Sequence, residues 1–272
     1  LTNADPEEMQ ALLKRVQEER ENVDKAKAAG GGFKATDSGD FESLTRNRRI
    51  QTDADGVTTG YSFLELAQRN DSHFSTKDEK GTNNNMGAYK AFHQMALEAA
   101  ASNDDPNEAR ALEACASHFL TDRFASGHLV DKGQAMDASG RTNGKMRNVV
   151  ARIVHNEGNE KKTKVTSKNG DSWDAMGDEH WADEDNAGNR KQASKAIYSS
   201  FDELNQVRKK KKTPEEIQQN GYRADGEVPK FEDSRQDAVN KRAKELGLWD
   251  IAKIEASEAP GAIKGLALRA YG

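Results

Sequence analysis

Apolar residues recur along this chain at three- and four-residue intervals, and almost nowhere do they alternate with polar ones. An α-helix turns about 100° per residue, so this spacing lines apolar side chains along one side of a helix and predicts a mainly α protein. The first such stretch carries Met9, Leu12, Leu13 and Val16 behind Asp5-Pro6-Glu7-Glu8, an N-cap followed by a first-turn proline. Gly30-Gly31-Gly32 breaks it and polar sequence runs on to about Phe41, so residues 1–40 read as a peripheral helix and glycine-rich linker. A turn at Asp53-Ala54-Asp55-Gly56 leads into a helix with Tyr61, Leu64 and Ala67. That turn resembles the start of a calcium loop, but the closing glutamate is missing and an ordinary turn is the better reading.

The central helices are better marked. Met86 to Ala101 places Tyr89, Phe92, His93 and Ala96 on one face, which makes His93 a core histidine with a buried hydrogen-bond partner. Asp105-Pro106-Asn107-Glu108 is a capping box that opens a helix whose stripe is Ala111, Cys115, His118, Asp122 and Ala125, with Cys115 read as a buried structural thiol. Met146, Val149, Val150 and Ile153 mark another helix ending near His155, and Ala193, Ile197, Phe201 and Leu204 mark one running into the basic stretch Arg208 to Lys212. Thr213-Pro214-Glu215-Glu216 begins a short helix, and amphipathic turns follow with Val239, Leu246, Leu248, Trp249 and Ile251. The one break in helical character is Val165 to Trp173 around Asn169-Gly170, a small β-hairpin with a type I′ turn. Trp173 and Trp181 beside it are hydrophobic pins, or else a platform for the apolar part of a substrate.

With 272 residues the chain can bury a real core, yet only 34% are hydrophobic and the mean hydropathy is -0.97, so polar loops and solvated ends are expected. The net charge of -5 gives no reason to expect a stable nucleic-acid partner. A single cysteine excludes an internal disulfide. No apolar run approaches a membrane span, and no secretory signal opens the sequence.

Candidate chemistry concentrates in Cys115 to His128. His118 and Asp122 lie one helical turn apart on nearly the same face, so one metal ion can reach both. His128 follows Ser126-Gly127, a pair able to end the helix and return the imidazole toward the same cavity. Two imidazoles and a carboxylate are ligand types that zinc prefers, and burying them without a cation would cost several kcal/mol.

The run HFLTDRFASGH, residues 118–128, resembles the metal-ligand helix of the bacterial zinc-dependent phospholipase C family, which shares its helical fold with the single-strand-specific zinc nucleases. The likeness is strongest over residues 112–130 and thins to scattered positions from about 57 to 205. It implies a multi-helix phospholipase C-like bundle over residues 41–212; the last sixty residues share none of the likeness, and their amphipathic pattern reads as a helical extension, 213–272, packed on the same domain. It also implies two zinc ions, three at most. Asp122 would bridge them and His118 would share the first, while His73 of Asn70-Asp71-Ser72-His73-Phe74 and an upstream aspartate, Asp71 or one of Asp53 and Asp55, would complete that set. The second ion would take His128 and His155. The family places a glutamate one turn after that last histidine; here Asn159 stands there, so Glu157 or Glu160 would substitute, and His180 with Glu184 is a lower-ranked pair.

Asp55 or Asp71 would accept a proton from the attacking water. The expected activity is hydrolysis of a phosphoric ester, phospholipid head groups ahead of single-stranded nucleic acid, with peripheral membrane contact and a site of action outside the producing bacterial cell. The competing class is a non-catalytic helical module stapled by one structural metal, which a closed four-ligand site would mark.

Overall fold

The computed structural model describes residues 70–102, 106–177 and 180–248, together with Lys25. The chain divides into compact units at residues 1–70 and 71–272, and the elements below belong to the second. The first predicted helix, the glycine break, the turn bearing Asp55, the cap at Asp105, and Trp249 and Ile251 lie outside the described residues.

The described part is mainly helical. α1 spans Asn85–Ser102, α2 Pro106–Asp122, α3 Lys132–Ala138 and α4 Gly144–Asn159. Strands β1 (Thr163–Thr166) and β2 (Ser172–Ala175) follow, then α5 (Ala187–Arg208), α6 (Pro214–Asn220), α7 (Arg223–Glu227) and α8 (Asp233–Glu245). Short 3₁₀ turns at Asp71–His73, Ser126–His128 and Glu184–Asn186 punctuate the connections. Local signals explain several ends. Thr213 accepts from the Glu216 N–H while Glu216 accepts from the Thr213 N–H, a reciprocal box behind Pro214 that starts α6. Asp131 caps α3 by accepting from the Gln134 N–H.

α1 and α2 form a hairpin against α5, and alanines at their contacts let the backbones come close. One cluster joins Met86, Tyr89, Ala116, Leu120, Ala193 and Ala196 to the strand residues Val165, Trp173 and Ala175. A second lies at the far end of the same helices, with Leu97, Ala109, Leu204 and Ile217. A third packs α3, α4 and α8 through Ala135, Val150, Ile153, Ala243 and Leu246. Each fully buried leucine or isoleucine in these clusters contributes about 1.5–3 kcal/mol relative to exposure. Residues beyond 212 thus enter all three clusters, through Ile217, Ala224, Val228, Ala243 and Leu246.

The hairpin exists, with β1 and β2 antiparallel and Thr166 opposite Ser172. Its turn differs from the expected type I′. That turn needs positive φ at both central residues, whereas Gly170 (φ 96°) has it and Asn169 does not. The loop is longer, closed by Ser167 and Asp171. It is also docked rather than free, since Asn169 donates to Gly226 O, Lys168 to Val228 O, and Lys230 to Thr166 O. Trp173 is a structural pin: it is 9% exposed, stacks on Phe124 at 6.0 Å and donates its indole N–H to Asn189 Oδ1 at 2.7 Å. Trp181 is exposed. Cys115 is half-buried on α2 rather than fully enclosed.

Candidate metal centre

Three backbone segments supply the side chains of the cluster. α2 ends at Asp122, not at the Ser126-Gly127 pair, and tighter 3₁₀-type bonds carry the chain through Arg123 and Phe124 before Ala125 turns extended. The following 3₁₀ turn presents His128 back toward Asp122. Ser75 then stitches the His73 segment to it, donating both its N–H and its hydroxyl to His128 O at 2.9 Å. Asn85, the first residue of α1, holds the same segment by donating its amide to His73 O at 3.2 Å.

The result places His73 Nδ1 at 2.8 Å from Asp122 Oδ2 and His128 Nδ1 at 3.3 Å from Asp122 Oδ1. His118 stands edge-on to His73, ring centroids 4.9 Å apart. Ligand atoms of His73, His118 and Asp122 all lie within 4.8 Å of one another, the one such group of three among the described residues. Around a tetrahedral zinc with bonds of about 2.0–2.2 Å, ligand atoms sit roughly 3.4 Å apart, so small side-chain movements suffice to close on an ion. The donor set fits zinc in type and number, and three protein ligands leave a fourth position for water or substrate.

Burial by itself pushes the Asp122 carboxyl up, but the hydrogen bonds and positive charge of His128 and His73 outweigh it and hold it below the usual carboxylate range. An anionic Asp122 is the form a cation needs. His118 is exposed and Asp122 buried, so the group opens at the protein rim. Phe119 lines it, 5.2 Å from the His73 ring and 5.3 Å from His118. Asp71, in the same 3₁₀ turn as His73, is half-exposed, with Oδ1 3.3 Å from Lys132 Nζ.

His155 reaches the edge of the cluster, its ring stacked on His128 with centroids 4.8 Å apart. Glu157 does not. Two residues along a helix is about 200° of rotation, so it projects away from His155. Its carboxylate accepts three hydrogen bonds from Arg242, at 2.6, 2.9 and 3.1 Å. There it faces a cavity of about 190 Å³ lined also by Val154, Lys161, Arg235 and Val239. The His180–Glu184 pair fails similarly: Glu184 lies in a 3₁₀ turn, and His180 bonds Asp183 instead at 2.8 Å. Asp55 lies outside the described residues.

His93 is a core histidine as its helix face predicted. It is fully buried between Glu113 Oε2 at 2.7 Å from Nδ1 and Glu203 Oε2 at 3.2 Å from Nε2. Ser75 and Asn85, which hold the His73 segment, were not singled out from sequence. The signal for Asn85 was the asparagine run 83–85 at a helix start, where such side chains cap.

No family model, curated protein or solved structure matches this chain.

Proposed function

We propose that this protein is a zinc-dependent hydrolase of phosphoric esters, built on a phospholipase C-like helical bundle and directed at phospholipid head groups. The observation that carries the reading is the convergence of His73, His118 and Asp122, from chain segments far apart in sequence, into one three-ligand group at the protein surface. A bound zinc supplies Lewis acidity toward a phosphoryl oxygen and acidifies a water. His73 and His118 would hold the ion with neutral nitrogens, and Asp122 with its carboxylate. Asp71, half-exposed beside His73 with Oδ1 3.3 Å from Lys132 Nζ, would take the proton from the attacking water. The exposed Trp181 would serve peripheral contact with a lipid surface, since indoles favour the boundary between lipid and water. Trp173, fixed by Phe124 and Asn189, would take no part. Action outside the producing bacterial cell accords with such a substrate.

Metal analysis by inductively coupled plasma mass spectrometry on wild type and His118→Ala tests the site. Zinc in the wild type and its loss in the variant are expected; equal content near zero in both rejects it. Mixed micelles of phosphatidylcholine and single-stranded DNA, each with and without chelator, test the substrate. Chelator-sensitive release of phosphocholine is expected. Cleavage of DNA alone would assign the nuclease activity, and turnover of neither with zinc still bound would leave the structural module.

A further inference from the structure

The stacked rings of His128 and His155, with Phe74 at 5.1 and 5.7 Å from them, have the outline of a second metal pocket beside the first. The hydrogen bonds around Asn159 close it. The Gly127 backbone N–H can only donate, so the Asn159 atom it meets at 2.8 Å is the carbonyl Oδ1. The other terminal atom is then the NH₂ group, which can only donate, and it lies 3.2 Å from His155 Nε2. Nε2 therefore accepts and carries no proton. The ring proton sits on Nδ1, which donates to Asn156 Oδ1 at 3.0 Å. Both nitrogens of His155 are thereby occupied.

Asn159 has no room to release them. Its Cβ lies only 2.2 Å from where a side chain on Gly177 would begin, and the Gly177 N–H donates to Asn159 O. A Cβ on Gly127 would stand 2.3 Å from Asn159 Oδ1. The amide is packed between two glycines that have no side chain to yield.

We infer that Asn159 is a positioning residue: it fixes His155 as the Nδ1–H tautomer and keeps the centre to one ion, so that His128 acts on Asp122 from outside the ligand set. The ion count rests on the proposal that His73, His118 and Asp122 hold zinc; the tautomer does not. The count expected from the resemblance, two ions, needed His155 with a carboxylate one turn on. Here that turn carries a donor that occupies the imidazole lone pair.

Long-range ¹H–¹⁵N correlation spectra of the full chain, with histidines ¹⁵N-labelled, test this directly. In metal-free protein the His155 Nε2 signal is expected at the unprotonated shift and Nδ1 at the protonated one. Titration with zinc is expected to move His73 and His118 and leave both His155 signals in place, with native mass spectrometry saturating at one ion. Asn159→Asp keeps an acceptor for the Gly127 N–H but cannot donate to His155, so it is expected to put a proton on Nε2, with an unchanged helical circular dichroism signal. A coordination shift at His155 Nε2, or a second ion held there, overturns the inference, and so does a tautomer indifferent to Asn159→Asp. Absence of any zinc uptake overturns the metal reading and the ion count, while the metal-free spectra still decide whether Asn159 sets the tautomer.

Discussion

Replacing His93 by leucine is expected to be among the costliest single substitutions in the described core. The imidazole is fully buried on α1, with Glu113 of α2 at 2.7 Å and Glu203 of α5 at 3.2 Å. Each ring nitrogen faces a carboxylate, the arrangement of an imidazolium with both protons engaged. Ser200 donates to the second oxygen of Glu113, Tyr89 donates to Ser200 at 3.0 Å, and the Arg223 N–H donates to Glu203 at 3.0 Å. Burial on its own pushes the imidazole toward its neutral form, but bonds and charge from both glutamates push harder the other way, so its pKa is raised above the ordinary 6.5. His93→Leu removes the cation and leaves both carboxylates buried without it, which costs about 3–5 kcal/mol by comparison with other broken buried pairs. A group whose pKa is raised on folding contributes stability fully present below its unfolded value and lost as pH rises through its folded value. Wild-type stability is therefore expected to fall from about pH 6.5 upward, with a slope approaching 1.4 kcal/mol per pH unit for one proton. That slope should be absent from His93→Leu. Urea unfolding followed by far-ultraviolet circular dichroism between pH 6 and 9 measures both quantities. A cost below about 1 kcal/mol, or the same slope in both proteins, would refute the ionic reading of the triad.

Gly127→Ala is expected to destabilise by about 1–3 kcal/mol, because the new methyl meets Asn159 Oδ1 at 2.3 Å and His155 O at 2.7 Å; an unchanged melting temperature would show that the turn can move. Arg123→Leu removes a fully buried guanidinium that donates to Pro229 O at 2.9 Å and Glu79 at 3.1 Å. Since Glu79 keeps Lys168 at 2.6 Å, the loss should sit near the low end for a buried pair, about 3 kcal/mol, read from the urea midpoint. Asp122→Asn should lower zinc content at least tenfold while the helical signal persists, since a neutral amide replaces the anionic ligand; full zinc content would exclude Asp122 from the coordination.

How much of this was legible in the sequence depends on the range over which each feature is determined. Helix α6 announces itself within four residues, because Thr213, Pro214 and Glu216 supply the cap and its reciprocal bond locally. His93 was assigned to the core from its helix face alone, although nothing in that pattern could name Glu113 and Glu203 as its partners. The pattern of Met146, Val149, Val150 and Ile153 places the end of α4 near His155, yet the helix continues to Asn159. Within that added turn the missing side chain of Gly158 lets the Ser126–His128 turn approach, with Gly127 Cα 3.1 Å from the position a Cβ would take.

That single extra turn decides the chemistry beside His128. With the helix intact, Asn159 falls on the His155 side and Glu157 falls roughly opposite it, toward Arg242 of α8, a partner 85 residues away. The meeting of His73 with Asp122, 49 residues apart, was likewise outside the reach of any periodicity. It depends on Ser75 and Asn85 holding a short turn against His128 and the start of α1, contacts made by backbone carbonyls that no residue pattern encodes. What periodicity does fix is the phase of each helix. Once α2 and α4 are given their observed lengths, that phase alone puts His118 and Asp122 on one side, His155 and Asn159 on one side, and Glu157 on neither.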